Sequence, residues 1–82
     1  MRITVECYGV LGEVCGGLEQ VVDLAGPQAD VRAVLAALAL RRPGLVAHLP
    51  HTAVARGDTL VPREAAVADG ERLALIPPVS GG

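Results

Sequence analysis

The sequence predicts an α+β fold in which a mixed sheet of about five strands carries one main helix on one face. Two segments of alternating apolar and polar residues precede a single long amphipathic segment, and further short alternating segments follow it. Alternation with a period of two is typical of half-buried strands, whereas apolar residues at i, i+3, i+4 and i+7 are typical of a helix. A sheet with one apolar face needs such a helix as its cover, and this pairing defines the predicted architecture.

Two strands are predicted before the helix, over residues 2–8 and 18–25. In both, apolar and polar side chains alternate, as they do when one face of a strand is buried. We expect the two strands to pair antiparallel. Cys7 falls on the apolar side of the first strand. We interpret it as a core residue rather than a reactive thiol, because buried cysteine is usually inert.

The connection between these strands, residues 9–17, contains four glycines that break the first strand. A short helical turn over residues 10–14 fits within it. Cys15 lies in this connection, where we expect it to be exposed to solvent. A structural zinc site needs four ligands, which the two cysteines with His48 and His51 could supply in number. Neither pair has the usual metal-site spacing, so no metal is predicted. We expect the two histidines to be surface residues of a loop.

The one long helix is predicted over residues 31–42. Asp30 is a favourable N-cap, and Pro43 with Gly44 ends the helix. The apolar stripe expected to lie on the sheet consists of Val31, Val34, Leu35 and Leu38. Two arginines in the last turn suit the negative end of the helix dipole, and we interpret them as terminal charges rather than a ligand site.

Three strands are predicted after the helix, over residues 52–56, 59–61 and 71–76, with glycine–aspartate turn signals between them. If the first and last strands are central and parallel, the whole chain between them serves as their crossover connection. That arrangement is the ubiquitin-like β-grasp. We therefore divide the chain into a β-grasp domain, residues 1–76, and an extended C-terminal tail, residues 77–82.

The tail combines a stiff start with a thin end. Pro77 and Pro78 favour an extended backbone, and Gly81 and Gly82 have no Cβ, so this end fits a channel too narrow for other residues. Fully extended, residues 77–82 reach about 20 Å, which is enough to enter a partner protein. A frayed terminus is the alternative, but frayed ends are usually polar, and this one follows an apolar segment.

Composition excludes several classes of protein. The 82 residues form one small domain whose only aromatic residue is Tyr8. The net charge is −2 with no basic run, which argues against nucleic acid as a partner. No apolar segment approaches the roughly 20 residues of a membrane span, and the first residues lack the layout of a signal peptide. We therefore expect the protein in the cytoplasm.

Residues 69–82, with the final sequence Pro-Pro-Val-Ser-Gly-Gly, resemble the C-terminal sequence of the MoaD family. MoaD proteins are small subunits of molybdopterin synthase within the wider ubiquitin-like sulfur carriers. Residues 7–13 are similar, more weakly, to the family's N-terminal signature. A Gly-Gly end alone occurs in many ubiquitin-like proteins, whereas the preceding Pro-Pro-Val-Ser makes the resemblance specific.

The resemblance implies a sulfur carrier rather than an enzyme. An E1-like, MoeB-like adenylyltransferase would use ATP to adenylate the carboxylate of Gly82, and a persulfide sulfur donor protein would displace AMP to leave a thiocarboxylate. The loaded tail would enter a MoaE-like large subunit, in an expected heterotetramer, and give sulfur to cyclic pyranopterin monophosphate to build molybdopterin. Gly82 would carry the chemistry, Gly81 would let the end fit, and no bound cofactor is expected.

The resemblance also implies a docking surface. Tyr8, Leu60 and Ile76 match positions that contact the large subunit in the family, and strand alternation points Tyr8 and Ile76 away from the helix-covered face. Single exposed apolar residues are common, but three on one uncovered face favour an interface. The tail residues of the predicted partner-binding set are Pro77, Pro78, Val79 and Ser80.

The chain departs from the family pattern at three positions. Gly12 stands where the family often has arginine, and Arg56 where it often has asparagine. Ile76 replaces a frequent aromatic residue. The first two weaken expectations about partner contacts near those residues, and none of the three affects the tail.

Other functions remain open at this point. A ThiS-like carrier for thiazole synthesis would use the same activated glycine, although such chains usually lack Pro-Pro-Val before the glycines. A ubiquitin-like modifier would join Gly82 to amines of other proteins after the same adenylation. All seven basic residues are arginine, so the chain itself offers no lysine for acylation. A free-standing enzyme has little support, because the sequence shows no nucleophile–base pair, metal cluster or phosphate loop.

Overall fold

The computed structural model describes residues 1–78. In chain order the elements are β1 (Arg2–Cys7), α1 (Leu11–Val14), β2 (Glu19–Asp23), β3 (Ala29–Asp30), α2 (Val31–Arg41), two 3₁₀ helices (Pro43–Leu45 and Leu49–His51), β4 (Ala53–Arg56), β5 (Thr59–Leu60), β6 (Ala66–Val67) and β7 (Arg72–Ile76). The predicted strands and the main helix therefore form, each within a few residues of its expected bounds.

Five strands form one mixed sheet in the order β2-β1-β7-β4-β5. The first and last strands, β1 and β7, are central and parallel, and every other neighbouring pair is antiparallel. The chain between β1 and β7 is their crossover connection, and α2 within it covers one face of the sheet. The predicted β-grasp fold is confirmed.

A second, two-stranded sheet was not expected from the sequence. It pairs β3 with β6, with Ala29 opposite Val67 and Asp30 opposite Ala66. Each strand has only two residues, which is too short for alternation to be visible. This small sheet joins the start of α2 to the segment that follows β5.

The main helix begins where its cap was predicted. The Asp30 carboxylate accepts a hydrogen bond from the backbone N–H of Ala33 at 2.9 Å, which satisfies one of the free donors of the first turn. All four residues of the predicted apolar stripe are buried against the sheet. They meet the inward side chains of the central strands, chiefly Ile3, Val5, Val54, Leu73 and Leu75.

Cys7 is buried, as predicted, but the expectation that Cys15 is exposed was wrong. Cys15 has no exposed surface, and its Sγ lies 2.6 Å from Sγ of Cys7. The glycine-rich connection folds into α1, and the N–H of Cys15 donates to the carbonyl of Leu11 at 2.8 Å. This turn directs the Cys15 side chain back onto β1 instead of outward.

The two histidines lie in the segment of 3₁₀ helices, with His51 exposed and His48 half-buried. Within residues 1–78, no three His, Cys, Asp or Glu side chains are placed to hold a metal ion together. None of the helices in this part of the chain has the length and apolar character needed to cross a membrane.

Candidate functional site

The sheet face opposite α2 is not covered by any described element, and we call it the open face. Strand register places one row of side chains straight across it, from β2 to β5, and this row consists of Glu19, Glu6, Ala74, Ala55 and Leu60. On the central strands β1 and β7, the neighbours of this row point to the opposite face and are buried under α2, namely Val5, Cys7, Leu73 and Leu75. The open face is therefore a defined set of side chains presented outward.

A shallow depression of about 470 Å³ lies on the open face. Its lining combines small residues with larger polar and apolar ones, namely Glu6, Tyr8, Ala55, Gly57, Arg72, Ala74 and Ile76. The small residues come from β4, β7 and the turn after β4. Because their side chains are short, the surface is recessed there, between the larger side chains that surround it. Such a surface can accept a protruding apolar side chain of a partner protein.

The three predicted contact residues share this face. Tyr8 and Ile76 line the depression, with 49% and 38% of their surfaces exposed, and Leu60 lies at the end of the central row with 67% exposed. Sequence alternation had assigned Tyr8 and Ile76 to this face, and the register of β5 against β4 adds Leu60. Their role in binding a partner remains a prediction.

A charged network crosses one end of the open face, and sequence reasoning missed it. The guanidinium of Arg72 lies 2.9 Å from a carboxylate oxygen of Glu6 and 2.7 Å from one of Glu19. The Tyr8 hydroxyl donates to the other oxygen of Glu6 at 3.1 Å. Alternation places Glu6 and Arg72 on outward positions, but only the parallel pairing of β1 with β7 brings them together.

This network changes the acidity of two of its members. Hydrogen bonds to Glu19 and Glu6 raise the pKa of Arg72, because both carboxylates favour its charged form. The hydrogen bond to Glu6 raises the pKa of Tyr8, because loss of the phenolic proton would place two negative charges together. Two carboxylates share one guanidinium, so this end of the open face has an excess of negative charge.

The root of the tail is fixed where β7 ends. The N–H of Tyr8 donates to the carbonyl of Leu75 at 3.2 Å, and Pro77 is half-buried against Gly9. Gly9 has a φ of +57°, and a Cβ placed on it would lie 3.1 Å from Cγ of Pro77. A glycine is therefore required here both by the backbone conformation and by the close approach of the tail.

Of the remaining predicted tail residues, only Pro78 is among those that the structure describes. Pro78 is exposed. Val79, Ser80, Gly81 and Gly82 lie outside the described residues, so the roles assigned to them remain predictions. The tail boundary at residue 77 and the thiocarboxylate on Gly82 remain predictions as well.

The fold places the protein in the class of ubiquitin-like β-grasp proteins. The ThiS family model matches residues 8–82, and the chain therefore belongs to this family. The family lies within the MoaD/ThiS superfamily of ubiquitin-like sulfur carriers and modifiers. Small carriers of this type are generally non-catalytic. The resemblance drawn from the C-terminal sequence is thus confirmed at the level of the superfamily.

Three solved structures illustrate the likeness. SAMP1 from Haloferax volcanii is 32% identical, with a TM-score of 0.89 and full coverage of both chains. A chain of the Amycolatopsis orientalis BexX/CysO complex is 28% identical, with a TM-score of 0.74 and coverage of 98% of this chain and 99% of that one. A chain from the complex of subunits 1 and 2 of molybdopterin-converting factor from Helicobacter pylori is 25% identical, with a TM-score of 0.66 and full coverage of both chains. A comparison with curated proteins gave no significant match.

Proposed function

We propose that this protein is the sulfur carrier of molybdopterin synthesis, with Gly82 as the residue that bears the sulfur. An E1-like adenylyltransferase activates the Gly82 carboxylate with ATP in the cytoplasm, and a persulfide donor converts it to a thiocarboxylate. The loaded tail then enters a large synthase subunit, with which the carrier forms a heterotetramer. There it gives its sulfur to cyclic pyranopterin monophosphate.

The observation that carries this proposal is the position of the tail root. The tail follows β7, which is hydrogen-bonded on both sides, to β1 and to β4. Its first residue packs on Gly9 beside Tyr8, at the edge of the depression on the open face. A partner that docks on this face therefore receives the tail from a fixed point.

The chemistry requires an activated carboxylate and a sulfur nucleophile. A carboxylate is a poor electrophile until one of its oxygens belongs to a good leaving group, and adenylation supplies AMP as that group. In the described residues the only thiols are those of Cys7 and Cys15, which are both buried. We therefore assign the entering sulfur to a separate donor protein and the acid–base groups of the final transfer to the large subunit.

The test is an in vitro loading reaction. Incubation of the full chain with an E1-like enzyme, ATP and a persulfide donor should replace one oxygen by sulfur, as seen by intact mass spectrometry. The Gly82 deletion should remain unmodified and should not support molybdopterin formation with the large subunit. A deletion variant that still supported molybdopterin formation would falsify the proposal.

A matched pair of surface variants tests the docking surface. Leu60→Asp places a charge on the open face, whereas Leu40→Asp places one on α2, which packs on the opposite face and leaves Leu40 85% exposed. Leu60→Asp should weaken binding to the large subunit by about tenfold or more, and Leu40→Asp should leave the dissociation constant unchanged. Equal weakening by both variants would count against docking on the open face.

A second candidate, a protein modifier, is favoured by the likeness to SAMP1. Structures of that name are described as small archaeal modifier protein 1, and the 32% identity to one of them extends over the full length of both chains. In this role the Gly82 adenylate would acylate an amine of a target protein. Because all seven basic residues are arginine, a conjugate could not be extended through a lysine of this chain.

One experiment separates the candidates, and it also covers a ThiS-like carrier for thiazole synthesis. Cell extracts are probed with an antibody against the chain, and deletion strains are assayed for molybdopterin and for thiamine. Loss of molybdopterin alone supports the proposal, and loss of thiamine alone supports the ThiS-like alternative. Discrete conjugates of higher mass, absent after Gly82 deletion, would establish the modifier.

A further inference from the structure

The two cysteines form a buried pair that the proposed function does not use. Cys7 ends β1 and Cys15 follows α1, so the fold brings together two residues separated by a glycine-rich connection. Their Sγ atoms lie 2.6 Å apart, and the exposed fractions of the two residues are 1% and 0%. Contact between two sulfur atoms at this distance leaves no room for another group between them.

We propose that Cys7 and Cys15 are a redox pair, which a hydroperoxide oxidises to a reversible intramolecular disulfide. A disulfide needs sulfur atoms about 2.0 Å apart, so the reduced pair has only a short distance to close. Both sulfur atoms are buried, so a small oxidant such as hydrogen peroxide reaches them only when this segment opens locally.

The reaction balances in two steps. A sulfur of the pair attacks one peroxide oxygen, the O–O bond breaks, and a sulfenic acid and one water are formed. The second thiol then attacks the sulfenic sulfur, the S–O bond breaks, and a second water leaves as the disulfide forms. Overall, two thiols lose two electrons and two protons to hydrogen peroxide, which is reduced to two molecules of water.

Burial decides how fast the pair reacts and which product forms. Removal from water raises the pKa of Cys7 to about 12, with the neighbouring Cys15 thiol as a further cause, so the Cys7 thiol is mainly protonated near neutral pH. Oxidation is therefore slower than at an exposed thiol. Once a sulfenic acid forms, the adjacent thiol reaches it before a second peroxide or another chain can, which favours the disulfide over further oxidation.

The bond would restrain the segment on which the tail root packs. The connection between the two cysteines carries Tyr8, which faces the open face, and Gly9, which contacts Pro77. A disulfide joins both ends of this connection without changing an exposed atom. By the loop-closure model, it should raise the midpoint of thermal unfolding by about 15 °C.

The test uses the reduced full-length chain and hydrogen peroxide under native conditions. After treatment, the protein is denatured, free thiols are alkylated, and the intact mass is measured. The expected product is a monomer that has lost two hydrogens, takes up no alkyl group, and returns to the starting mass with a reductant. Cleavage after Glu13, which lies between the cysteines, should leave two peptides joined until reduction.

Three results would overturn the proposal. The thiols could remain free in the native chain while the denatured chain oxidises, one cysteine could gain two oxygens, or disulfides could form only between chains. Cys15→Ala is the matched variant, and it should lose the two-hydrogen product while Cys7 gains oxygen or stays unmodified. The wild-type peptide map decides the question even if this variant folds poorly, and neither measurement depends on whether the protein carries sulfur on Gly82.

Discussion

Gly9 links the open face to the tail through a single backbone conformation. Its positive φ is costly for any residue with a Cβ, and the added atom would lie 3.1 Å from Pro77. We expect Gly9→Ala to lower the free energy of unfolding by about 2 to 3 kcal/mol, because it combines backbone strain with displacement of the tail root. Urea denaturation of both proteins measures the difference.

Gly57 provides the matched control for this prediction. It has a φ of +62°, close to that of Gly9, but a Cβ there would meet no atom within 4 Å. Gly57→Ala should therefore show the backbone strain alone, at about 1 kcal/mol. If the two variants lost equal stability, contact between Gly9 and Pro77 would contribute nothing.

Cys7 gives the protein a specific weakness at alkaline pH. Because burial raises its pKa to about 12, the folded chain keeps a proton that the unfolded chain releases near its ordinary value of 9.0. Below about pH 9 the Cys7 thiol is protonated in both the folded and the unfolded chain, and its ionisation costs no stability. As the pH rises from about 9 towards 12, the free energy of unfolding should fall by up to about 1.4 kcal/mol per pH unit.

Denaturation midpoints measured at a series of alkaline pH values test this expectation. Cys7→Ala is the comparison, because it retains Tyr8, whose raised pKa gives a loss of the same sign. The variant should start from a lower stability but fall less steeply with pH. Parallel curves for the two proteins would show that the Cys7 thiol is not protected from ionisation by the fold.

At the scale of elements, α2 depends on its cap. Asp30 supplies the only side-chain oxygen bonded to a free N–H at the start of this helix among the described contacts. Asp30→Ala should lower the free energy of unfolding by about 1 kcal/mol. Asp30→Asn keeps an oxygen in place and should cost much less. Thermal unfolding followed by circular dichroism measures both, and equal losses would contradict the capping role.

Elements with a long or regular pattern could be predicted from the sequence. The alternation of β1 and β7 and the stripe of α2 each repeat several times, so their inward residues were identified correctly. Ala29 and Ala66 lie in strands of two residues, where no period can be seen. Cys15 was misplaced because the glycines around it indicated an open loop, whereas the hydrogen bonds of α1 close this segment onto the core.

The candidate site likewise contains one part that could be predicted from the sequence and one part that could not. The sequence alone is enough to predict a functional role for the proline and glycine tail, because that prediction depends only on the types of residue and their order. The charged network of Glu6, Glu19 and Arg72 depends on strands far apart in the chain, and its members become neighbours only through the register of β1 with β2 and β7. Local patterns contain no information about such register.

At the scale of the whole molecule, the open face predicts how salt affects binding. One guanidinium serves two carboxylates there, and the excess negative charge should attract a basic surface on the partner. We expect the association rate with the large subunit to fall as ionic strength rises, since exposed charges are screened. Glu19→Gln should reduce this salt dependence in stopped-flow measurements. An unchanged salt dependence would argue against a basic partner surface.

The central position of β7 also determines how the protein responds to force. A pull on the tail enters the fold through β7, which is hydrogen-bonded to β1 along one edge and to β4 along the other. These bonds lie across the direction of the pull, so they share the load and must break together rather than one after another. In the proposed role, the tail could therefore be withdrawn from a partner's channel against resistance while the domain behind it stays folded.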